Sequence, residues 1–104
     1  MKLKIIAEAA IEFYGTPNLL VRQPPEDRQT TSARHVCQWI ACEALTPRYK
    51  QSVVARFWDI DGSSVHYGRK MVKNKIEAYK QEKEQLKEFL EYLKDYTKQN
   101  KRTK

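Results

Sequence analysis

Few residues in this chain interrupt regular structure. Among 104 residues there are three glycines and four prolines, too few for a low-complexity or disordered body. No glycine-rich phosphate loop is present, which with the short length excludes an ATP-driven motor or a dinucleotide-binding enzyme. No apolar run approaches the ~18 residues of a membrane span. Lys2 and Lys4 precede Ile5 and Ile6, but Glu8 and Glu12 interrupt that run, so no apolar leader core forms. The two cysteines, Cys37 and Cys42, are too few for a disulfide scaffold. Five residues apart, they fall about 140° apart on a helix, which argues against a local bridge. Both are expected as reduced, buryable side chains. With no C-x-x-C and no H-x3-H spacing, no metal or other cofactor is expected. The length fits a single domain that folds unaided.

What the chain does have is positive charge. Twenty Lys and Arg face thirteen Asp and Glu, a net of +7. Residues 1–68 are nearly balanced, with eight basic and seven acidic side chains, whereas residues 69–104 carry twelve basic and six acidic. Between Ser63 and Lys80 lie Arg69, Lys70, Lys73, Lys75 and Lys80 against a single acid, Glu77. Local cationic density of this kind suits a phosphate-bearing partner.

The apolar periodicity is helical throughout, and no segment alternates like a strand. Ile5, Ile6, Ala9, Ala10 and Phe13 mark a first helix, ended by Gly15 and Pro17. Leu19 to Val21 allow one short turn. Gln23 to Ser32 reads as an exposed loop, with one of Thr30, Thr31 or Ser32 capping the next helix. That helix is predicted over Ala33–Leu45 and stopped by Pro47. A short helix over about 50–57 turns Val53, Val54 and Phe57 inward. Residues 58–62 form a tight break, and Asp61 or Ser63 is suited to cap a long helix from 63. Val65, Gly68, Val72, Ile76 and Tyr79 share its buried face. Between Lys80 and Gln85 the apolar pattern lapses, so the helix either continues with a new partner or turns there. Leu86, Phe89, Leu90, Leu93 and Tyr96 resume it, and 98–104 is expected to fray as a basic tail. The expected architecture is therefore a compact all-α multi-helix domain.

Two short helices about a four- or five-residue break describe a helix-turn-helix, whose second helix enters the major groove of DNA. With Val65, Val72 and Ile76 inward, Ser63, Tyr67, Lys70 and Asn74 point outward at ~100° per residue. Lys73 and His66 flank that face on one side and Ser64 on the other. It is rich in hydroxyls and free of acids, as suits contact with phosphates and bases.

Arg34-His35-Val36 opening an Ala-containing helix, then Val53, Phe57, and Asp61-Gly62-Ser63-Ser64-Val65 followed by Lys70 and Val72, resemble the C-terminal DNA-binding domain of the bacterial replication initiator DnaA. That family carries an Arg-Asp-His-(Ser/Thr)-Thr-Val segment entering a long helix, and a Pro-Arg-Gln segment opening the preceding core helix. The resemblance spans about residues 1–97, with specific matches between 33 and 76. It implies an all-α domain, a helix-turn-helix in the major groove, and an arginine reaching the minor groove, matched here by Arg34. Asp61 matches the signature acid, Ser63 and Ser64 its hydroxyls, and Val65 its buried valine. Ile60 replaces the family's Arg and Gly62 its His, so recognition of the initiator's own box is not implied. The initiator's ATPase portion has no counterpart here.

The sequence thus leads to a cytoplasmic, nucleoid-associated protein that binds double-stranded DNA, in replication initiation or transcriptional regulation. It needs no cofactor and no small-molecule substrate. The expected DNA-contacting residues are Arg34, Asp61, Ser63, Ser64, Tyr67, Lys70, Lys73 and Asn74. No paired carboxylates or activated nucleophile point to an enzyme. The alternative is a protein-interaction module, because Leu86, Leu90, Leu93 and Thr97 keep coiled-coil spacing for barely two heptads. That spacing would let residues 86–97 form a homodimer or meet a partner.

Overall fold

The computed structural model describes residues 1–21 and 27–102, with side chains through Lys98. The 23–26 part of the expected loop and residues 103–104 of the tail lie outside the described residues. The described chain is helical, with no strand among those residues.

Helix α1 (Leu3–Tyr14) buries Leu3, Ile6, Ala7, Ala9 and Ala10 on one stripe. Gly15 ends it in the left-handed region at φ 65°, where a side chain is strained and glycine is not. The Thr16 N–H closes the end onto the Ile11 carbonyl at 3.1 Å. A turn then carries Leu19 into the core with no exposed surface.

Helix α2 (Arg28–Trp39) begins five residues before the predicted Ala33. Asp27 is the cap: its carboxylate accepts the Thr30 N–H and the Thr30 hydroxyl, both at 2.8 Å. The hydroxyls expected to cap instead lie inside the helix: Thr31 donates back to the Asp27 carbonyl at 3.1 Å, and Ser32 accepts from Lys75. An ionised acceptor at this position also favours the helix dipole. The helix continues into a π-helical turn, Ile40–Ala44, closed by the Leu45 N–H on the Ile40 carbonyl at 3.2 Å.

Cys37 lies in α2 and Cys42 in the π turn, both buried and unbridged. Burial pushes the Cys37 thiol up to about 12, which makes it an inert core side chain.

Arg34 is the largest departure from expectation. It was matched to an arginine that reaches into a DNA groove, yet it is only 6% exposed. Its Nε donates to the Leu19 carbonyl at 2.9 Å, and its Nη2 donates to the carbonyls of Val21 and, at 3.5 Å, Asn18. The Trp58 indole N–H donates to the same Leu19 carbonyl at 3.2 Å. The turn after α1 thus ends in carbonyls that no helix satisfies, and the guanidinium fork collects them. Arg34 is a buried structural donor that holds the carbonyls of the turn after α1.

Helix α3 (Gln51–Trp58) buries Val54, Ala55 and Trp58. Val53, predicted to face inward, is 42% exposed, because the buried stripe of this short helix follows 54, 55 and 58. Asp59 then adopts φ 56°. Its N–H closes on the Arg56 carbonyl at 3.2 Å and the Ile60 N–H on the Ala55 carbonyl at 2.9 Å. This double closure stops the helix and reverses the chain, with aspartate where glycine is usual.

Helix α4 (Gly62–Ala78) packs its Val65, Gly68 and Val72 side against α2. A methyl group on Gly68 would lie 2.5 Å from Gln38 Oε1 and 2.7 Å from His35 Cδ2, so only glycine lets the two helices approach this closely.

The chain breaks at Tyr79, which is extended at φ −128° and ψ 119°, just before the 80–85 interval where a turn was considered. Helix α5 (Lys80–Arg102) then returns across the domain. One unbroken helix over residues 62–102 would be about 60 Å long, whereas the longest dimension of the molecule is 36 Å. The corner leaves Tyr79 63% exposed, on the outside where the periodicity had placed it inside.

The fold-back also decides the fate of the coiled-coil spacing. Leu86, Phe89 and Leu93 are buried in the common core, and Phe89 lies 5.2 Å from both Phe13 and Tyr14 of α1, ring centre to ring centre. Tyr92 donates to Glu12 at 2.7 Å. Leu86 and Leu93 of the coiled-coil spacing are thereby buried within the chain, and Leu90 and Thr97 are partly buried. The backbone stays helical to Arg102, beyond the residue at which fraying was expected.

Arg34→Ala is expected to lower the unfolding free energy by about 2–4 kcal/mol, the scale of charge-assisted hydrogen bonds lost at a buried site. Arg34→Lys should recover only part of it, because an ammonium lacks the planar fork. Urea unfolding followed by circular dichroism measures both. A loss below about 0.5 kcal/mol, the level of an ordinary surface substitution, would show Arg34 to be dispensable to the fold.

Candidate nucleic-acid interface

The α3–turn–α4 unit is held rigidly by one side chain. Gln51, the first residue of α3, donates from Nε2 to the Gly62 carbonyl at 2.9 Å. Its Oε1 accepts from Arg69 Nη1, also at 2.9 Å. Arg69 in turn forms an ion pair with Glu43 of the π turn. The first turn of α4 is therefore tied to α3, and its second turn to both α3 and the π turn. An amide bridging in this way has no signature in spacing or charge, and sequence reading did not find it.

Around this anchored helix the expected residues separate cleanly. Ser63, Ser64, Tyr67, Lys70, Lys73 and Asn74 are all exposed, as is His66. They form one continuous outer surface, since Val65, Gly68 and Val72 occupy the opposite side. Asp61 stands at the N-cap position, but its side chain accepts no bond from the helix. The first-turn amides of α4 therefore have no side-chain acceptor, while the Asp61 carboxylate beside them still lies at the end of the helix dipole that favours negative charge. Arg34 is not part of this surface, being buried against the turn after α1.

The cationic count of the face is smaller than the sequence suggested. Arg69 is neutralised by Glu43. Lys75 is half-buried and donates to the Ser32 hydroxyl at 3.4 Å. Lys80 has passed onto α5. Lys70 and Lys73 remain on the face, and Lys50, the residue that precedes Gln51 at the start of α3, is exposed as well. The sequence places Lys50 at the start of the short 50–57 helix and outside the expected DNA-contacting residues.

Tyr67 is 54% exposed. Its ring stands edge-on to His35 of α2, centroids 6.0 Å apart at 80°. An aromatic ring held by a neighbour yet open to solvent presents a rigid apolar surface at little entropic cost. Trp58, by contrast, is 2% exposed and belongs to the core.

No protein-family model matches the chain, and no curated protein matches it in sequence. Among the described residues no helix is long and apolar enough to cross a membrane, and no group of three or more His, Cys, Asp or Glu is placed to hold a metal ion.

His35 gives the α2–α4 contact a pH dependence. Burial, and then the nearby Lys75 charge, hold its proton affinity below the ordinary value of 6.5. The unfolded chain therefore binds this proton more readily than the folded one. Stability is complete above about pH 6.5 and falls as the pH drops through that value, levelling off once folded His35 is also protonated. Urea midpoints at pH 7.5 and 5.5 should differ more in the parent than in His35→Gln. Equal differences would mean that His35 does not sense the contact.

Proposed function

We propose that this chain binds double-stranded DNA, with α4 lying in the major groove and α3 bracing it. The observation that carries the reading is the outer surface of α4: hydroxyls, an amide, an aromatic ring and two lysines, without an acid from Ser63 to Asn74, beside an uncapped helix N-terminus. Serine and asparagine side chains can exchange hydrogen bonds with base edges and phosphates, and lysines neutralise phosphates. The open N–H groups of the first turn suit a phosphate oxygen. Asp61, at the edge of that turn, is an acceptor suited to a cytosine amino group. Tyr67 offers its ring to a thymine methyl or a sugar.

The resemblance to the initiator's C-terminal domain supports the same placement for α4, in replication initiation or transcriptional control. It does not extend to a minor-groove arginine, because Arg34 is committed to the core. Affinity in this reading comes from Lys50, Lys70 and Lys73 on phosphates, and sequence preference from Ser63, Ser64, Tyr67 and Asn74.

Fluorescence anisotropy across a salt series, with one duplex carrying the initiator-type box and one scrambled, tests the proposal. The parent should bind with a steep salt dependence. The double variant Lys70→Ala/Lys73→Ala should bind more weakly, with the slope of log K against log salt reduced by about two if each lysine meets one phosphate. Ser63→Ala with Ser64→Ala should narrow the gap between duplexes more than it lowers total affinity. A parent that binds neither duplex at low salt would remove the proposal, and an unchanged slope in the lysine variant would move the interface off α4.

A further inference from the structure

A cavity of about 300 Å³ opens on the side of α4 away from Arg69, bounded by α2, α4 and α5. Its floor is apolar: Val36, Val72, Ile76 and Leu86 line it. Its rim is cationic, with Arg28 from the first turn of α2 and Lys75 from the last turn of α4. Lys75 is half-buried, and among the described residues it forms no ion pair; the Ser32 hydroxyl at 3.4 Å is its polar partner. Arg28 likewise has no acid within ion-pair distance among those residues. Glu82 from α5 also lines the cavity but pairs with neither cation.

A half-desolvated ammonium beside an apolar hollow is an unfavourable arrangement unless a counter-charge completes it. Glu82, the acid that lines the cavity, stands outside ion-pair distance of the ammonium. His35 lines the same cavity, and its proton affinity is lowered by burial and by Lys75 itself. Concave sites with an apolar floor and a few convergent polar groups are the usual form of small-molecule pockets, and this volume accommodates a body of one ring with a short chain.

We infer that the cavity between α2, α4 and α5 binds a small amphipathic anion, an aromatic or branched carboxylate. Its apolar body rests on Val36, Val72, Ile76 and Leu86, and its carboxylate meets Lys75 and Arg28 at the rim. The site stands independently of DNA binding. Its walls include the inner side of α4, and His35, which lines it, also touches Tyr67 on the outer face, so an occupant would contact the helix proposed to read DNA.

The test uses the full chain, isotopically labelled, and 3-phenylpropionate as probe, with no nucleic acid present. Amide signals of Ser32, His35, Val36, Val72, Lys75 and Leu86 should shift together and saturate, with a Kd of about 1 mM or tighter for a ligand of this size. The uncharged isostere 3-phenylpropionamide should bind at least about five-fold more weakly, since it lacks the charge that Lys75 awaits. Lys75→Gln should lose a similar factor for the carboxylate and little for the amide. Lys75 makes only one long hydrogen bond, so this variant should remain folded, as its spectrum will show. Val36→Phe, which fills the hollow, should abolish binding of both. Shifts that do not saturate, equal affinity for acid and amide, or a Lys75→Gln variant that binds like the parent would each overturn the inference.

Discussion

Two buried donors from different helices converge on one carbonyl oxygen, that of Leu19. Arg34 reaches it from α2 and Trp58 from α3, and the two lone pairs of the carbonyl take both. The residue that offers this carbonyl sits in a connector with no helix of its own to satisfy its backbone. In a dry core an unpaired carbonyl would cost about 1–3 kcal/mol, so Leu19 can be buried only because the guanidinium and the indole are there. Once they are, the end of α1, the middle of α2 and the end of α3 are fixed relative to one another. Leu19 and Trp58 close the core around that point.

Everything presented to solvent by α4 follows from this junction. Trp58 is the last residue of α3, and the reversal at Asp59 and Ile60 starts one residue later. The direction in which α4 leaves is thus set by the same side chain that bonds to Leu19. Gly68 then lets α4 sink onto α2, Gln51 ties its first turn to α3, and Arg69 with Glu43 secures its flank. Each inward contact turns the opposite side outward, and that side carries Ser63, Tyr67, Lys70 and Asn74. The orientation of this face is set by contacts on the opposite side of the helix.

The all-α architecture was legible because apolar spacing at three and four residues is a local property of each helix. The outward set on α4 was legible for the same reason: Val65 and Val72 fix the phase of the helix wheel. Arg34 was misread because the carbonyls that claim it come from residues 18–21, about fifteen positions away, and carbonyls leave no mark in a sequence. The start of α2 was missed because Asp27 and three following hydroxyls are all good caps in isolation, and the winner depends on where the helix is needed in the core. The corner at Tyr79 has no proline or glycine to announce it. It arises because Leu86, Phe89 and Leu93 gain more by returning to α1 than by extending into water, and the lapse in apolar pattern at 80–85 was its only trace. The cavity beside Lys75 is formed by three helices and had no sequence signal.

The most direct test of the proposed DNA face is a backbone amide titration of the full chain with a short duplex at low salt. The account predicts that the largest shifts fall on residues 62–74 and around Lys50, with Arg34 and the buried residues of α5 little changed. Shifts concentrated on α5, or on the residues around Arg34 with α4 silent, would contradict it and place the nucleic-acid contact, if there is one, on another side of the molecule.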